Sequence, residues 1–166
     1  MPIAPGTILI SPPTIDDTNF EEVVIFITEH NEKGAMGFVI NKLFARPLNA
    51  LEEFKQSIAF PLYDGGPVDQ KHLFFVHQRP DLIEGGTAIR DNIYFGGNFK
   101  QALTHLNKKI ILQNDIKIFI GYCGWDYGQL EEEITEGSWM VVDAKTAIVF
   151  SIETTMLWKE LYNSVL

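Results

Sequence analysis

The chain has one cysteine, no basic run longer than Lys108-Lys109, and no apolar run longer than Val23–Ile27. Each scarcity excludes something. A lone Cys123 makes no internal disulfide, so folding does not depend on an oxidising compartment. Five apolar residues fall far short of the roughly 20 that a membrane-spanning helix needs. The first residues, Met1-Pro2-Ile3-Ala4-Pro5-Gly6, carry neither a basic n-region nor an apolar h-region, so they are not read as a signal peptide. Nucleic-acid binding rests on Lys and Arg releasing counterions from phosphates, and here 13 basic residues face 22 acidic ones, a formal net charge of −9. Direct DNA or RNA binding is therefore disfavoured, and so is an anionic membrane surface. The simplest location is the cytoplasm.

Several chemical signatures are also missing. No G-x-x-x-x-G-K-[ST] phosphate loop, G-x-G-x-x-G fingerprint or G-x-S-x-G nucleophile elbow occurs. His30, His72, His77 and His105 lack H-E-x-x-H spacing or a cysteine pair, so no zinc site is expected. Asp16-Asp17 and the scattered aspartates lack an EF-hand pattern, and no metal site is assigned.

What is present reads as one α+β domain, spanning residues 1–166. A chain of this size buries roughly 70% of its unfolded surface, enough for a self-sufficient core. Thr7–Ile10, Val23–Ile27, Met36–Ile40, Leu73–Val76, Ile116–Ile120 and Trp139–Val142 read as strands. The second is apolar without alternation, which predicts cover on both faces. Asn31-Glu32-Lys33-Gly34 predicts a hairpin with a longer loop, and Asp91-Asn92 a hairpin turn within an extended Ile89–Phe95. Apolar residues at Leu48, Leu51, Phe54 and Ile58 predict a helix over Leu48–Ser57. A second helix follows Asn98 as N-cap, a short one covers Gln129–Glu136, and an amphipathic one, Thr155–Leu166, faces inward with Leu157, Trp158, Leu161, Tyr162 and Val165. Hairpins among helices, without a βαβ rhythm, point to a mixed sheet.

The stretch G-Y-C-G-W-D-Y-G-Q-L-E-E-E-I, residues 121–134, concentrates the unusual residues at a strand-to-helix turn. Cys123 precedes a helix, which favours a thiolate. Asp126, Glu131, Glu132 and Glu133 oppose it, and no cation lies in the segment. Trp125 and Tyr127 either line a pocket or pack. Gln129 and Glu132, three apart, fall together at the rim of a cleft. In Glu29-His30-Asn31 a histidine ends a buried strand, where it serves as a general base or satisfies loop amides. Asn41 ends the next strand, at the opposite end of the expected hairpin.

Together these stretches resemble the AlgH/YqgE family of small bacterial proteins. The resemblance is carried by G-T-I-L-I-S-P-P (6–13), E-H-N-E-K-G-A-M-G-F-V-I-N-K (29–42), Y-D-G-G-P-V (63–68), F-F-V-H (74–77) and the 121–134 stretch with Trp139, spanning nearly the whole chain in order. It implies a compact domain built on a mixed, barrel-like sheet with helices packed outside, and no cofactor. Some members carry a label as transcriptional regulators of exopolysaccharide synthesis, and no enzymatic activity comes with the family. Its motif positions here are Glu29, His30, Asn31, Gly34, Gly37 and Asn41; then Gly65, Gly66, Pro67 and His77; then Gly121, Gly124, Trp125, Gly128, Gln129, Leu130, Glu131 and Glu133. The family accepts a small residue, often Ala, where this chain has Cys123.

Three readings of function follow. The first is a non-enzymatic binding or regulatory protein whose cleft, lined by Trp125, Gln129, His30 and the Gly65-Gly66-Pro67 turn, takes a small molecule or a partner segment. The second is an enzyme or redox sensor using Cys123 or His30. The third is a structural or interaction module. Oligomeric state is left open.

Overall fold

The computed structural model describes residues 2–13 and 22–166; Asp16-Asp17 lies outside them. Among the described residues nine strands form one curled, half-barrel sheet: β1 (Ile8–Ile10), β2 (Val24–Asn31), β3 (Gly34–Val39), β4 (Tyr63–Asp64), β5 (Val68–His77), β6 (Thr87–Arg90), β7 (Ile93–Phe95), β8 (Ile116–Trp125) and β9 (Met140–Val142). The order is β6-β7-β5-β8-β3-β2-β1-β9, with β4 beside β8. The β4–β8 pairing is parallel and the others are antiparallel, so the sheet is mixed by a single short strand.

Alternation along the strands sorts the core into two faces. Ile8, Ile10, Val24, Phe26, Phe38 and Phe119 point into the half-barrel, where Phe38 and Phe119 stack at 4.6 Å. That hollow is plugged by a 3-10 turn, Thr146–Phe150, and by α3 (Leu157–Ser164), through Val149, Phe150, Leu157, Trp158 and Leu161. On the outer face, Leu9, Ile25, Ile27 and Val39 meet Leu130 of α2 (Gln129–Thr135). Farther along, Ile116, Ile118 and Ile120 meet Ala102 and Leu106 of α1 (Phe99–Asn107). The doubly covered β2 is what its unbroken apolar run predicted. Asn98 caps α1, its Oδ1 accepting the Gln101 amide at 3.0 Å. Asp91 and Asn92, with φ of 48° and 63°, make the left-handed pair of a hairpin turn between β6 and β7.

Three expectations are corrected. Leu48–Ser57 is not a helix but two 3-10 turns, Leu48–Ala50 and Glu52–Phe54, with Leu51 extended between them. The Leu48 amide donates to the Phe60 carbonyl, pinning both ends of the segment together. A ten-residue helix, about 15 Å long, leaves too little chain to return. The β2–β3 loop is shorter than expected: Asn31 pairs with Gly34, leaving only Glu32-Lys33 as the turn. Asn31 Oδ1 accepts the Lys33 amide at 2.8 Å and closes it locally. Val165, expected to face inward, follows the end of α3 and is exposed.

The sheet forks at Gly65-Gly66. The end of β8 pairs directly with β3, Gly37 opposite Cys123, whereas its first half pairs with β4. Val39 donates to the Gly65 carbonyl, and Gly65 donates to the Ile120 carbonyl, so the backbone of residue 65 fills the crotch. Gly66 has φ +152°, and a Cβ there would overlap the Tyr122 carbonyl and the Cys123 amide. The glycines of Y-D-G-G-P-V are thus accounted for by close backbone approach.

Candidate functional site

The first and third motif blocks meet where β2, β3 and β8 end together. Ala35 pairs with Trp125 and Met36 with Gly124, which brings the Glu32-Lys33 turn beside the start of α2. Between them lies an open cleft of about 430 Å³. Glu29, Asn31 and Lys33 from the β2–β3 hairpin line it with Asp126 and Gln129 from the β8–α2 turn, and with Met36, Tyr122 and the exposed Val68. Met36 and Tyr122 also pack on the inner core, so the cleft is the mouth of the half-barrel.

Its polar wall is held in place. Asn31 Nδ2 donates to Glu29 Oε1 at 3.1 Å, and the Asp126 amide donates to Gln129 Oε1 at 2.9 Å. The Asp126 side chain has no partner among the described residues.

The expected site residues divide among different places. Glu29, Asn31, Gly124, Trp125 and Gln129 line the cleft. His30 does not, because neighbours on a strand point to opposite faces. Its Nε2 lies 2.9 Å from Glu131 Oε2 on α2, and that hydrogen bond draws the Glu131 carboxyl below its ordinary range. Glu132 is exposed on α2 and outside the cleft lining. Gly66 and Pro67 line a separate cleft with Lys42, Leu43 and Gln70. Asn41 bolts the other end of the hairpin: its Oδ1 accepts the Val24 amide at 3.0 Å and its Nδ2 donates to the Glu22 carbonyl at 2.7 Å. Two of the three motif blocks therefore share a concavity, and the Gly65-Gly66-Pro67 block supports it from behind through the Tyr122–Cys123 backbone.

Cys123 faces away from the cleft, among the outer-face apolar residues. Its Sγ–H donates to the Gly65 carbonyl at 3.5 Å. Burial first, and the Asp64 carboxylate second, push the thiol up to about 11. A nucleophilic or redox cysteine needs the opposite shift. Trp125 is 9% exposed, and its Nε1–H donates at 3.0 Å to Glu133 Oε1, which also accepts the Trp139 Nε1–H at 3.0 Å. One carboxylate thus satisfies two indoles and ties α2 to the sheet. His77 is buried. Its Nδ1 accepts the Arg79 amide at 3.1 Å, so Nε2 carries the proton and donates to the Gly96 carbonyl at 3.1 Å. Burial lowers its pKa, keeping the ring neutral. Among the described residues no group of three or more His, Cys, Asp or Glu is placed to hold a metal ion.

Sequence reasoning missed Tyr122, Val68 and Lys33 as lining residues. Tyr122 was accessible from strand alternation, since it shares a face with Gly124. It also missed Lys117, a lysine inside the apolar strand I-K-I-F-I that is only 2% exposed. Its Nζ donates to the Ile40 carbonyl at 2.9 Å and the Ser151 carbonyl at 3.2 Å and sits 4.1 Å from the Tyr63 ring centre. Burial pulls its pKa down to about 7.

A half-barrel sheet plugged by a C-terminal helix, with a polar cleft at its mouth and two indoles anchored on one glutamate, defines a compact α+β class. The chain belongs to the AlgH-like family, DUF179, whose profile matches residues 8–165. It is 36% identical over 163 residues to a UPF0301 protein of Chlorobium limicola, covering 98% of this chain and 87% of the relative. A UPF0301 protein of Parabacteroides distasonis is also 36% identical, over 157 residues, covering 93% of this chain and 79% of the relative. The solution structure of the AlgH protein from Pseudomonas aeruginosa superposes with a TM-score of 0.75 at 26% identity, covering 99% of this chain and 89% of that one. A crystal structure of a Corynebacterium diphtheriae protein, 21% identical, shares the fold with a TM-score of 0.78 over 99% of this chain and 88% of that one.

Proposed function

We propose that this chain is a non-enzymatic binding or regulatory protein of the cytoplasm, and that a small molecule or partner segment enters the cleft at the half-barrel mouth. The observation that carries this reading is the meeting of Glu29 and Asn31 with Gly124, Asp126 and Gln129 around an open concavity. The Glu29 carboxylate and the side-chain amides of Asn31 and Gln129 are pre-oriented by short local hydrogen bonds, which lowers the ordering cost of binding. The two candidate reacting groups lie outside this cleft, His30 beside Glu131 on α2 and the Cys123 thiol against the Gly65 carbonyl. Any control of gene expression is indirect, because the net charge of −9 opposes contact with nucleic acid.

Screening a library of polar fragments against ¹⁵N-labelled protein tests the reading. Saturable shifts clustered at Asn31, Gly34, Gly124 and Gln129 are expected. The absence of any saturable hit at these residues would overturn it.

A further inference from the structure

A second concavity, about 440 Å³, lies where the expected Leu48–Ser57 helix breaks into two turns, and it shares no lining residue with the half-barrel mouth. Its wall is apolar and largely aromatic: Phe44, Leu51, Phe54, Leu73, Phe75 and Phe99. Phe99 contacts Phe54 edge-on at 5.7 Å and Phe75 at 5.2 Å. All but Phe75 remain half-buried, so a fully formed aromatic surface faces solvent. Concave, apolar walls with a few polar groups at the mouth characterise small-molecule sites.

The mouth carries charge of a particular sign. In β5 the four residues 69–72 stand opposite the single Gly121, and Asp69 takes a left-handed φ of 53° to make this bulge. The bulge brings Lys71 and His72 to the groove. Arg46 reaches the same mouth, its guanidinium carbon 5.8 Å from the centre of the Phe44 ring. Glu52 is paired with Lys55 at 3.1 Å, and Asp69 with His72 at 2.7 Å. Among the described residues that leaves Arg46, Lys71 and Glu53 without an oppositely charged partner, two cations against one anion, in a chain of net charge −9. A second copy of so acidic a chain is a poor occupant.

We propose that this groove binds a small amphipathic carboxylate, its alkyl or aryl body against the phenylalanine wall and its anionic head at Arg46 and Lys71. Octanoate, octylammonium and 1-octanol, which share a tail and differ in head group, are titrated into ¹⁵N-labelled protein. Saturable shifts at Phe44, Leu51, Phe54 and Phe99 are expected for octanoate, with affinity about fivefold or more above the other two. Arg46 and Lys71 are exposed, so the R46Q/K71Q variant folds with an unchanged melting temperature. It should bind octanoate about fivefold to tenfold more weakly while its response to octanol stays the same. Octylammonium binding as tightly as octanoate, shifts confined to other surfaces, an R46Q/K71Q variant with unaltered octanoate affinity, or binding to anionic vesicles without any response to monomeric octanoate would each overturn the proposal. Capture of an apolar peptide at these residues in place of octanoate would overturn it as well.

Discussion

Lys117 makes the pH dependence of stability a sharp test of the packing described above. The folded chain holds its amine at about 7, against an ordinary 10.5, because the group is buried, with no carboxylate beside it among the described residues. The unfolded chain therefore binds a proton at this site about 3,000-fold more tightly, and between those two pH values it carries more protons than the folded one. Stability must then rise with pH across this window, and the penalty for burying the ammonium is fully present below pH 7. Integrating the difference in bound protons from pH 7 to pH 9 gives about 2 kcal/mol of added stability. The carbonyls of Ile40 and Ser151 and the Tyr63 ring favour the ammonium and reduce the gain towards about 1 kcal/mol. Above pH 9 the raised pKa values of Cys123 and Tyr63 act in the opposite direction, so the window closes there. Urea denaturation of the wild type and Lys117→Met at pH 7, 8 and 9 reads this directly. The wild type should gain 1–2 kcal/mol (about) over the window, and Lys117→Met should be nearly flat. Equal slopes in the two proteins would refute the burial of a lysine whose proton is weakly held.

Cys123, with its thiol at about 11 against an ordinary 9.0, should be alkylated about 100-fold more slowly than an ordinary protein thiol at pH 7, with normal reactivity returning in denaturant; fast labelling of the folded protein would contradict its placement. Gly66→Ala, which drives a Cβ into the Tyr122 carbonyl at the sheet fork, should cost about 3 kcal/mol or more in chemical denaturation, against about 1 kcal/mol for Gly137→Ala, where the φ of +87° is left-handed but a Cβ meets open space. Glu133→Ala, which orphans the indole N–H groups of Trp125 and Trp139, should cost about 2 kcal/mol and alter tryptophan fluorescence, whereas an unchanged midpoint and spectrum would show that the shared carboxylate does not hold α2.

Local chemistry was legible in the sequence wherever one residue decides the outcome. Asn98 advertised a cap, Asp91-Asn92 advertised a turn needing left-handed backbone, and the unbroken Val23–Ile27 run advertised a strand covered twice. Legibility failed where distant backbone decides. The spacing of Leu48, Leu51 and Phe54 is helical, but the Leu48–Phe60 hydrogen bond forbids a helix of that length. Gly65-Gly66 looked like a ligand loop because a close approach to another strand and a close approach to a ligand place the same demand on a glycine. His30 and Asn31 were grouped as neighbours, and strand alternation sends them to opposite faces. Lys117 went unremarked within the Ile116–Ile120 strand, although a lysine inside a doubly covered strand has nowhere to go but a buried set of acceptors.

The most direct measurement of a ligand cleft at the half-barrel mouth uses a variant that fills it. A Cβ at the exposed Gly124 would meet only the Tyr122 ring, at 3.4 Å and beyond, so Gly124→Leu occupies the cleft without disturbing the fold. Wild type and Gly124→Leu are immobilised, exposed to a cytoplasmic small-molecule and peptide extract, and the bound compounds compared by mass spectrometry. Compounds retained by the wild type and lost from an equally stable Gly124→Leu are the predicted result; identical retention by the two proteins would contradict it.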